Sequence, residues 1–246
     1  MPVDYNAIAS QYAAHRRLHP GVLQNLLETC QLGPSQSALE VGCGTGNYIL
    51  VIQAVSRCQG WGVDPAEKML EIARQRSQSV TFQIGAANQL PFPGESFDLV
   101  FSVDMVHHLQ QKHSYIQQAH RLLKIGGKLC TVTENEILLR TRVPLARYFP
   151  ETIEKELLRY PRDGELQVTM RSAGFENLQE VVVRHPYQIR DLQPFEDKAF
   201  SVLHLISEQA WQQGLARMRA DLAQAPIQAV SHYLMLWGEK KKSLPA

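Results

Sequence analysis

The chain has 246 residues, in which 25 Lys and Arg face 24 Asp and Glu for a formal net charge of +1. This balance gives no overall attraction to nucleic acid or to an anionic membrane, and no apolar run reaches the roughly 18 residues that read as a membrane-spanning helix. The four cysteines form no C-x-x-C pair, which argues against a disulfide scaffold and a zinc ribbon. A reducing cytoplasm is the expected location.

Strand and helix patterns alternate along the chain, which predicts one α/β domain over 1–246 with a mostly parallel sheet covered by helices on both faces. Helices are predicted in the N-terminal segment, from Pro20, and after Asn47, Pro65, Gln110 and Gly164. The pair Gly126-Gly127 is expected to end the helix that starts after Gln110. Seven strands are predicted, at about 37–41, 59–63, 80–84, 97–103, 128–133, 178–184 and 228–237.

Two segments, about 136–162 and 191–226, exceed what a minimal sheet needs. Both have helical patterns, and both would lie at the carboxyl edge of the sheet, where α/β proteins bind ligands. We expect them to act as lids. Their aromatic residues either line a substrate pocket or form a core within the lids; they are Tyr148, Phe149, Phe195, Phe200 and Trp211.

A glycine-rich turn follows the first predicted strand, in S-A-L-E-V-G-C-G-T-G-N-Y from Ser37 to Tyr48. Glycines 42, 44 and 46 let the backbone adopt positive φ and let a ligand approach the main chain. A dinucleotide fingerprint, G-x-G-x-x-G, needs glycine at position 47, where this chain has Asn47. NAD is therefore the weaker fit.

Glu40 followed by G-x-G-x-G resembles motif I of the class I S-adenosylmethionine-dependent methyltransferases, of the small-molecule group typified by ubiquinone and menaquinone biosynthesis. The resemblance implies a Rossmann-like seven-stranded fold and S-adenosylmethionine as cofactor, with S-adenosylhomocysteine as product. Glu40, Gly42, Gly44 and Asn47 would then be cofactor-binding positions.

A second match to the family is W-G-V-D-P-A-E-K-M-L, which ends a strand at Asp64 and is expected to open a helix with Pro65 at its first position. A carboxylate at Asp64 can accept both hydroxyls of a ribose. The alternative is that Asp64 only caps the helix, with Glu67 completing a capping box. By resemblance Pro65, Met69 and Val103 are also placed at the cofactor.

The segment from Val80 to Ser102 resembles the family's third strand, adenine loop and fourth strand, with one departure. Many members carry aspartate where this chain has Ala86, and alanine cannot accept a hydrogen bond from the adenine amino group. The backbone at Ala87 and the amide of Asn88 remain available. Ala86 therefore bears on how tightly the cofactor binds and not on which cofactor binds.

Two adjacent histidines, His107 and His108, follow the fourth predicted strand and are the candidates for a general base. We favour His107, which matches a histidine or glutamine of related methyltransferases; the alternative is that both cap and pack. Asp104 is a further polar candidate. The spacing of the histidines at 107, 108, 113 and 120 fits no metal-ligand pattern, so no metal is expected.

The N-terminal stretch from Tyr5 to Arg16 resembles the family's cofactor-covering helix, in which an aromatic residue precedes an arginine by four positions. Tyr12 and Arg16 fit, and the guanidinium suits pairing with the methionine carboxylate. The alternative is a surface arginine beside Arg17. Glu134 and Asn135 are weaker candidates for contacts with the substrate.

The function implied by the resemblance is methyl transfer from S-adenosylmethionine to the oxygen, nitrogen or carbon of a small molecule, by a monomer or homodimer. One alternative is a sensor that binds the cofactor without turnover, which Ala86 favours. The other is a nicotinamide-dependent oxidoreductase, against which Asn47 argues.

Overall fold

The computed structural model describes residues 4–241, apart from the side chain of Gln11. The seven strands form one sheet in the order β3-β2-β1-β4-β5-β7-β6, in which β7 alone is antiparallel to its neighbours. The bounds of the strands are β1 Ser37–Val41, β2 Gln59–Asp64, β3 Val80–Ile84, β4 Phe97–Val103, β5 Leu123–Thr133, β6 Phe175–Ile189 and β7 Ile227–Lys240. The expected Rossmann-like α/β sheet is confirmed.

The helices are distributed over both faces and over the carboxyl edge of this sheet. Their bounds are α1 Tyr5–His15, α2 Pro20–Cys30, α3 Asn47–Ser56, α4 Glu67–Arg76, α5 Lys112–Leu122, α6 Glu136–Thr141, α7 Leu145–Tyr148, α8 Glu151–Leu157, α9 Glu165–Ser172, α10 Gln193–Glu196 and α11 Glu208–Leu222. Two 3₁₀ helices cover Val106–His108 and Ser201–His204.

Apolar cores fill the space on each side of the sheet, because the central strands are apolar on both faces. All five residues of β1 are buried. Helices α2, α3 and α4 pack on one side through residues such as Leu26, Ile49 and Leu70. Helices α5 and α9 cover the other side through Ile116 and Met170.

The direction of the strand order reverses between β1 and β4, which are hydrogen-bonded neighbours. In an open α/β sheet, such a switch point leaves a crevice at the carboxyl ends of the two strands. The glycine turn follows β1 at this point, and Asp104 follows β4. The topology thus places both sequence motifs at one edge.

Two local expectations were wrong. Helix α5 ends at Leu122 and β5 begins at Leu123, so Gly126-Gly127 lies inside the strand; the pairing with β4 changes register there, between Phe97↔Leu123 and Leu99↔Lys128. Pro65 is not the first helical residue, because α4 begins at Glu67. The Asp64 carboxylate accepts the Ala66 N–H at 2.9 Å, and this turn keeps 65 and 66 out of the helix.

The two long segments contain short helices at the carboxyl edge, with α6, α7 and α8 in the first and α10 and α11 in the second. They share a core of their own with the facing ends of β6 and β7. Tyr148, Phe149 and Phe195 are buried in this core. Phe200, another of the five aromatic residues named from the sequence, lines a pocket at the carboxyl edge of the sheet.

No helix within residues 4–241 combines the length and apolar character needed to cross a membrane.

Candidate active site

A cleft of about 500 Å³ opens at the carboxyl ends of β1, β2 and β4, and we call it the glycine-turn cleft. Its volume lies in the range of small-molecule sites, about 300–1,000 Å³. Most of the positions chosen from the sequence line it. They are Tyr12, Gly42, Asp64, Pro65, Met69, Ala86, Ala87, Asn88, Val103 and His108.

The glycine turn has the backbone that its sequence indicates. Gly42 has a φ of +70°, and a Cβ built there would lie 2.3 Å from Cγ of Met105. At Gly44 the nearest atom to such a Cβ is Cε1 of Tyr12 at 3.7 Å, across the mouth of the turn. Gly42 is therefore required by packing, whereas Gly44 keeps space open beneath Tyr12.

Asp64, the last residue of β2, fixes the glycine turn through its carboxylate. One carboxylate oxygen accepts the Gly44 N–H at 2.8 Å, and the other accepts the Ala66 N–H at 2.9 Å. Burial raises the pKa of Asp64, and these two N–H groups oppose that shift. Each oxygen keeps a second lone pair. Asp64 is not the N-cap of α4, because that position is Ala66 and no side chain caps the helix there, so the expected capping box with Glu67 is absent. The Asp64 carboxylate instead ties the glycine turn to the Ala66 N–H and still lines the cleft.

Four positions predicted to bind a cofactor do not line the glycine-turn cleft. Glu40 is buried below the turn, where Oε2 accepts the Ile49 N–H at 3.0 Å, and burial raises its pKa to about 8. Gly44 donates to Asp64, and the amide oxygen of Asn47 accepts from Arg76. Glu40, Gly44 and Asn47 therefore hold the shape of the turn through these hydrogen bonds and do not line the cleft. Arg16 lies in the neighbouring pocket.

A smaller pocket of about 110 Å³ adjoins the cleft under the lid helices, and we call it the Arg142 pocket. It shares Tyr5, Tyr12, Asp104 and His108 with the glycine-turn cleft. The two spaces therefore meet at a common wall at the end of β4.

Buried ion pairs line the Arg142 pocket. Arg142 contacts Glu134 at 2.6 Å and also pairs with Glu156, and all three side chains are at least four-fifths buried. Burial raises the pKa of Glu134 to about 7, against the opposing charge of Arg142. The sequence offered Glu134 as a weak candidate, but Arg142 and Glu156 were missed because nothing in their local pattern marks them.

Asp104 occupies the common wall with a φ of +54°, a left-handed backbone that is uncommon for a residue other than glycine. Its Oδ2 accepts from the Arg16 guanidinium and from the Tyr233 hydroxyl, the latter at 2.7 Å. Burial acts to raise the pKa of Asp104, but the charge of Arg16 and these hydrogen bonds hold it at about 2. Arg16 is thus fixed by Asp104 at the border of the two spaces.

His107 and His108 differ in their surroundings. His107 is 7% exposed, lines the Arg142 pocket and stacks on Tyr160 with ring centroids 4.2 Å apart. His108 is held through both ring nitrogens, by the Tyr5 hydroxyl at 2.8 Å and by Arg159 at 3.2 Å. Burial lowers the pKa of both, that of His108 to about 4, and Arg159 contributes to that shift.

Over the described part of the chain, no group of three or more His, Cys, Asp and Glu side chains is arranged to hold a metal ion. The glycine-turn cleft is instead lined by backbone and apolar side chains together with the carboxylates of Asp64 and Asp104 and polar side chains such as Asn88, which fits an organic ligand with ribose and adenine parts.

Residues 39–131 match the protein family described as a methyltransferase domain. A 27-O-demethylrifamycin SV methyltransferase of Amycolatopsis mediterranei is 32% identical over 97 residues, which are 37% of this chain and 36% of that protein. A demethylmenaquinone methyltransferase of Symbiobacterium thermophilum is 28% identical over 173 residues, or 58% of this chain and 69% of that protein. The chain thus spans about a third to two thirds of these relatives.

The fold is shared with phosphoethanolamine N-methyltransferase 2 of Haemonchus contortus, whose structure was solved in complex with S-adenosyl-L-methionine. The TM-score is 0.61 at 19% sequence identity, and the superposition covers 96% of this chain and 57% of that one. The region that matches the methyltransferase domain, residues 39–131, includes most of β1 to β5, and the carboxyl ends of β1, β2 and β4 contribute to the glycine-turn cleft.

Proposed function

We propose that this chain, which carries a class I S-adenosylmethionine-dependent methyltransferase domain, transfers the methyl group of S-adenosylmethionine to a small-molecule acceptor. The observation that carries the proposal is the junction of the two spaces. The glycine-turn cleft has the lining for a nucleoside, and it opens onto a polar pocket through a wall formed by Tyr5, Tyr12, Asp104 and His108. A cofactor in one space would meet an acceptor in the other.

The chain's own residues would hold the cofactor in a defined direction along the cleft. Asp64 would receive the ribose hydroxyls, because each of its oxygens accepts one backbone N–H and keeps a second lone pair. Met69, Ala86, Ala87 and Asn88, which line the cleft beside Asp64, would surround the adenine. Tyr12 and Arg16 lie toward the other end, where the methionine part belongs.

When bound, the cofactor supplies an electrophilic methyl group on a sulfonium. The protein then contributes alignment and exclusion of water, and alignment of two reactants is worth up to about 7–11 kcal/mol. The lid helices and α1 cover the junction between the two spaces and would exclude water from it. His107, buried and neutral beside the acceptor pocket, is our candidate for the group that takes a proton from the acceptor.

His108 has a different role in this proposal. Both ring nitrogens are engaged, so it links α1 through Tyr5 to the segment after α8 through Arg159. This link holds two covering elements together above the junction. Four further properties remain predictions from the sequence. They are methylation at oxygen, nitrogen or carbon, a cytoplasmic location, the absence of nucleic-acid binding, and a monomeric or homodimeric state.

Isothermal titration calorimetry with S-adenosylhomocysteine, S-adenosylmethionine and NAD tests the proposal. We expect heat from both adenosyl compounds and none from NAD. Binding of NAD alone would favour the oxidoreductase. Binding of the adenosyl compounds without methyl transfer to any of a broad set of amines, alcohols, phenols and carbon acids would favour the sensor.

A further inference from the structure

One edge of the sheet is formed by the 15-residue strand β6, which pairs with β7. Within residues 4–241, no strand pairs with the other side of β6. The N–H and C=O groups on the free side of an edge strand can pair with another chain, so proteins usually keep such edges short, covered or charged. The length of β6 therefore calls for an explanation.

Two breaks limit the regular part of this edge. At its beginning, the pairing with β7 changes register between Glu176 and Gln179. At its end, Pro186 has no N–H to donate. Between the breaks lie the residues 179–185, each paired with β7 in one register, and we call them the edge segment. Val182 is its middle residue.

The edge segment reads Q-E-V-V-V-R-H, and its charges are complementary to those of a second copy that runs in the opposite direction. In an antiparallel pairing centred on Val182, Glu180 of each copy lies opposite Arg184 of the other. The valines at 181 and 183 lie opposite each other, and Val182 lies opposite itself. Opposite charges across two strands stabilise their pairing, whereas like charges oppose it. No like charges face each other in this register.

Hydrogen-bonding geometry restricts the registers that two copies can adopt. Alternate residues of a strand point their N–H and C=O groups to the same side, and opposed residues in an antiparallel pair must point alike. The two-fold axis must therefore pass through a residue rather than between two. Centring on Val181 sets Glu180 against Val182, and centring on Val183 sets Arg184 there instead. Both neighbouring registers leave a charge facing an apolar side chain.

The side chains that would meet are accessible. Val182 is 46% exposed, although it is a large apolar side chain within a strand. Glu180 and Arg184 are also exposed, and they lie on the same face of β6 as Val182, since side chains alternate along a strand. Neither belongs to an ion pair in the part of the chain that the structure describes. A second copy would supply each with an opposite charge.

We propose that the edge segment is a homodimer interface, in which β6 of two copies pair antiparallel about Val182. The same patch serves both copies, as a two-fold axis requires, and the two sheets join into one. The paired segment is short, and interfaces below about 1,200 Å² are typical of transient complexes. We therefore expect a dimer that dissociates on dilution. The proposal is independent of the proposed enzymatic function.

Sedimentation velocity of the full chain over a wide range of protein concentration is the first test, and we expect a monomer–dimer equilibrium. Glu180→Arg and Arg184→Glu should each weaken the dimer by about tenfold or more, because two like-charge pairs replace two opposite-charge pairs. Glu71→Arg makes the same charge change at an exposed site on α4 and should leave the equilibrium unchanged. A wild-type protein that stays monomeric, or a dimer that neither reversal weakens, overturns the proposal.

An equimolar mixture of the two charge-reversed variants tests the register. One copy then carries arginine at positions 180 and 184 and the other carries glutamate at both, so each pair again joins opposite charges. We expect the mixture to dimerise as well as the wild type, although neither variant does so alone. A mixture that remains monomeric contradicts the pairing of Glu180 with Arg184. If either variant does not fold, sedimentation of the wild type and a crosslink at Val182 decide.

The crosslink is a test that does not depend on charge. In the proposed register, Val182→Cys lies opposite its own equivalent at a Cα separation of about 4.5–5.5 Å, which a disulfide can span. Oxidation in air should give a covalent dimer, with the wild type and its own four cysteines as background. Gln188→Cys, exposed on the same strand, would lie about 40 Å from its equivalent and should not crosslink. Equal crosslinking of both variants, or of neither, contradicts the proposal.

Discussion

At the scale of single residues, Asp64 shows how one carboxylate serves both fold and ligand. Its two oxygens tie the glycine turn of β1 to the entry of α4, through the N–H groups of Gly44 and Ala66. The same side chain lines the cleft. Loss of the carboxylate therefore affects stability and binding together, and a test must separate the two.

Asp64→Ala should weaken S-adenosylhomocysteine binding by about 1.5–3 kcal/mol, the range for hydrogen bonds to a charged group. Asp191→Ala is the matched control, since Asp191 accepts the N–H two residues on in the same way but lies on the surface. Calorimetry corrected for the folded fraction measures the effect. An affinity that does not change, with stability reduced, would leave Asp64 as a turn residue only.

Ala86 permits a gain-of-affinity test. It lies on the cleft beside Asn88, in a short turn closed by the Gln89 N–H to the Ala86 carbonyl at 3.0 Å. Ala86→Asp should tighten S-adenosylhomocysteine binding by about 1 kcal/mol, the net value of one hydrogen bond. Unchanged affinity would mean that Asn88 or water already serves the adenine amino group, and weaker binding would show that this loop is not the adenine loop.

His107→Gln should lower turnover by about 10²-fold or more if the imidazole takes a proton, with cofactor affinity little changed. His108→Gln is the informative comparison, because His108 is bound through both ring nitrogens and should affect closure more than chemistry. Steady-state kinetics with an acceptor that supports turnover gives both values. Full activity of His107→Gln would reassign that residue to packing against Tyr160.

At the scale of elements, the covering parts are attached to one another rather than only to the sheet. His15 at the end of α1 contacts Asp197 after α10 at 2.7 Å, and Tyr5 at its start contacts His108. Helix α1 also packs on α4 through Ala9 and Met69. A ligand in the glycine-turn cleft that contacts α1 would thus restrict the motion of both α1 and the second lid segment, 191–226.

Hydrogen exchange checks this coupling. Amides over 191–226 should exchange more slowly with S-adenosylhomocysteine than without it, because the ligand favours the closed arrangement. Strand β1, buried along its whole length, provides the internal reference. If the exchange rates over 191–226 are the same with and without S-adenosylhomocysteine, these helices do not close over the ligand. They would then be a fixed part of the fold with no role in shielding the reaction from water.

The sequence predicted the elements well where a local signal marks both ends. Strands β1 to β4 match their predicted bounds within one residue, since apolar runs stop at Gly, Pro or Asp. The start of β5 was missed because Gly126-Gly127 resembles a helix end, and only pairing with β4 shows that the strand continues through it. The residues of the glycine-turn cleft were predictable because short local motifs mark them, whereas Arg142, Tyr160 and Tyr233 come to the same pocket as Asp104 only through the fold.

At the scale of the whole molecule, buried titratable groups below the binding spaces should make stability depend on pH. Glu40, 3% exposed, has its pKa raised from 4.5 to about 8 by burial, so the folded protein holds this proton where the unfolded chain has lost it. Stability from Glu40 therefore falls as pH rises from 4.5 to 8. Glu134 acts in the same direction up to about pH 7.

The buried histidines act in the opposite direction at lower pH. Burial lowers the pKa of His19, His107, His108 and His232 below 6.5, so the unfolded chain binds more protons there and stability falls as pH drops below 6.5. The two effects overlap between about pH 4.5 and 6.5 and partly cancel. Above pH 6.5 the histidines no longer contribute, and the carboxyl groups alone set the slope.

We therefore expect the free energy of unfolding to fall between pH 6.5 and 8, with about 1–2 kcal/mol of the loss due to Glu40. Glu40→Gln should flatten this slope, because glutamine keeps an oxygen for the Ile49 N–H and does not ionise. Urea unfolding at the two pH values measures it, with Glu176→Gln at an exposed site as the control. An equally steep loss in Glu40→Gln would show that Glu40 is already ionised at pH 6.5 in the folded protein, so that a different group causes the decline.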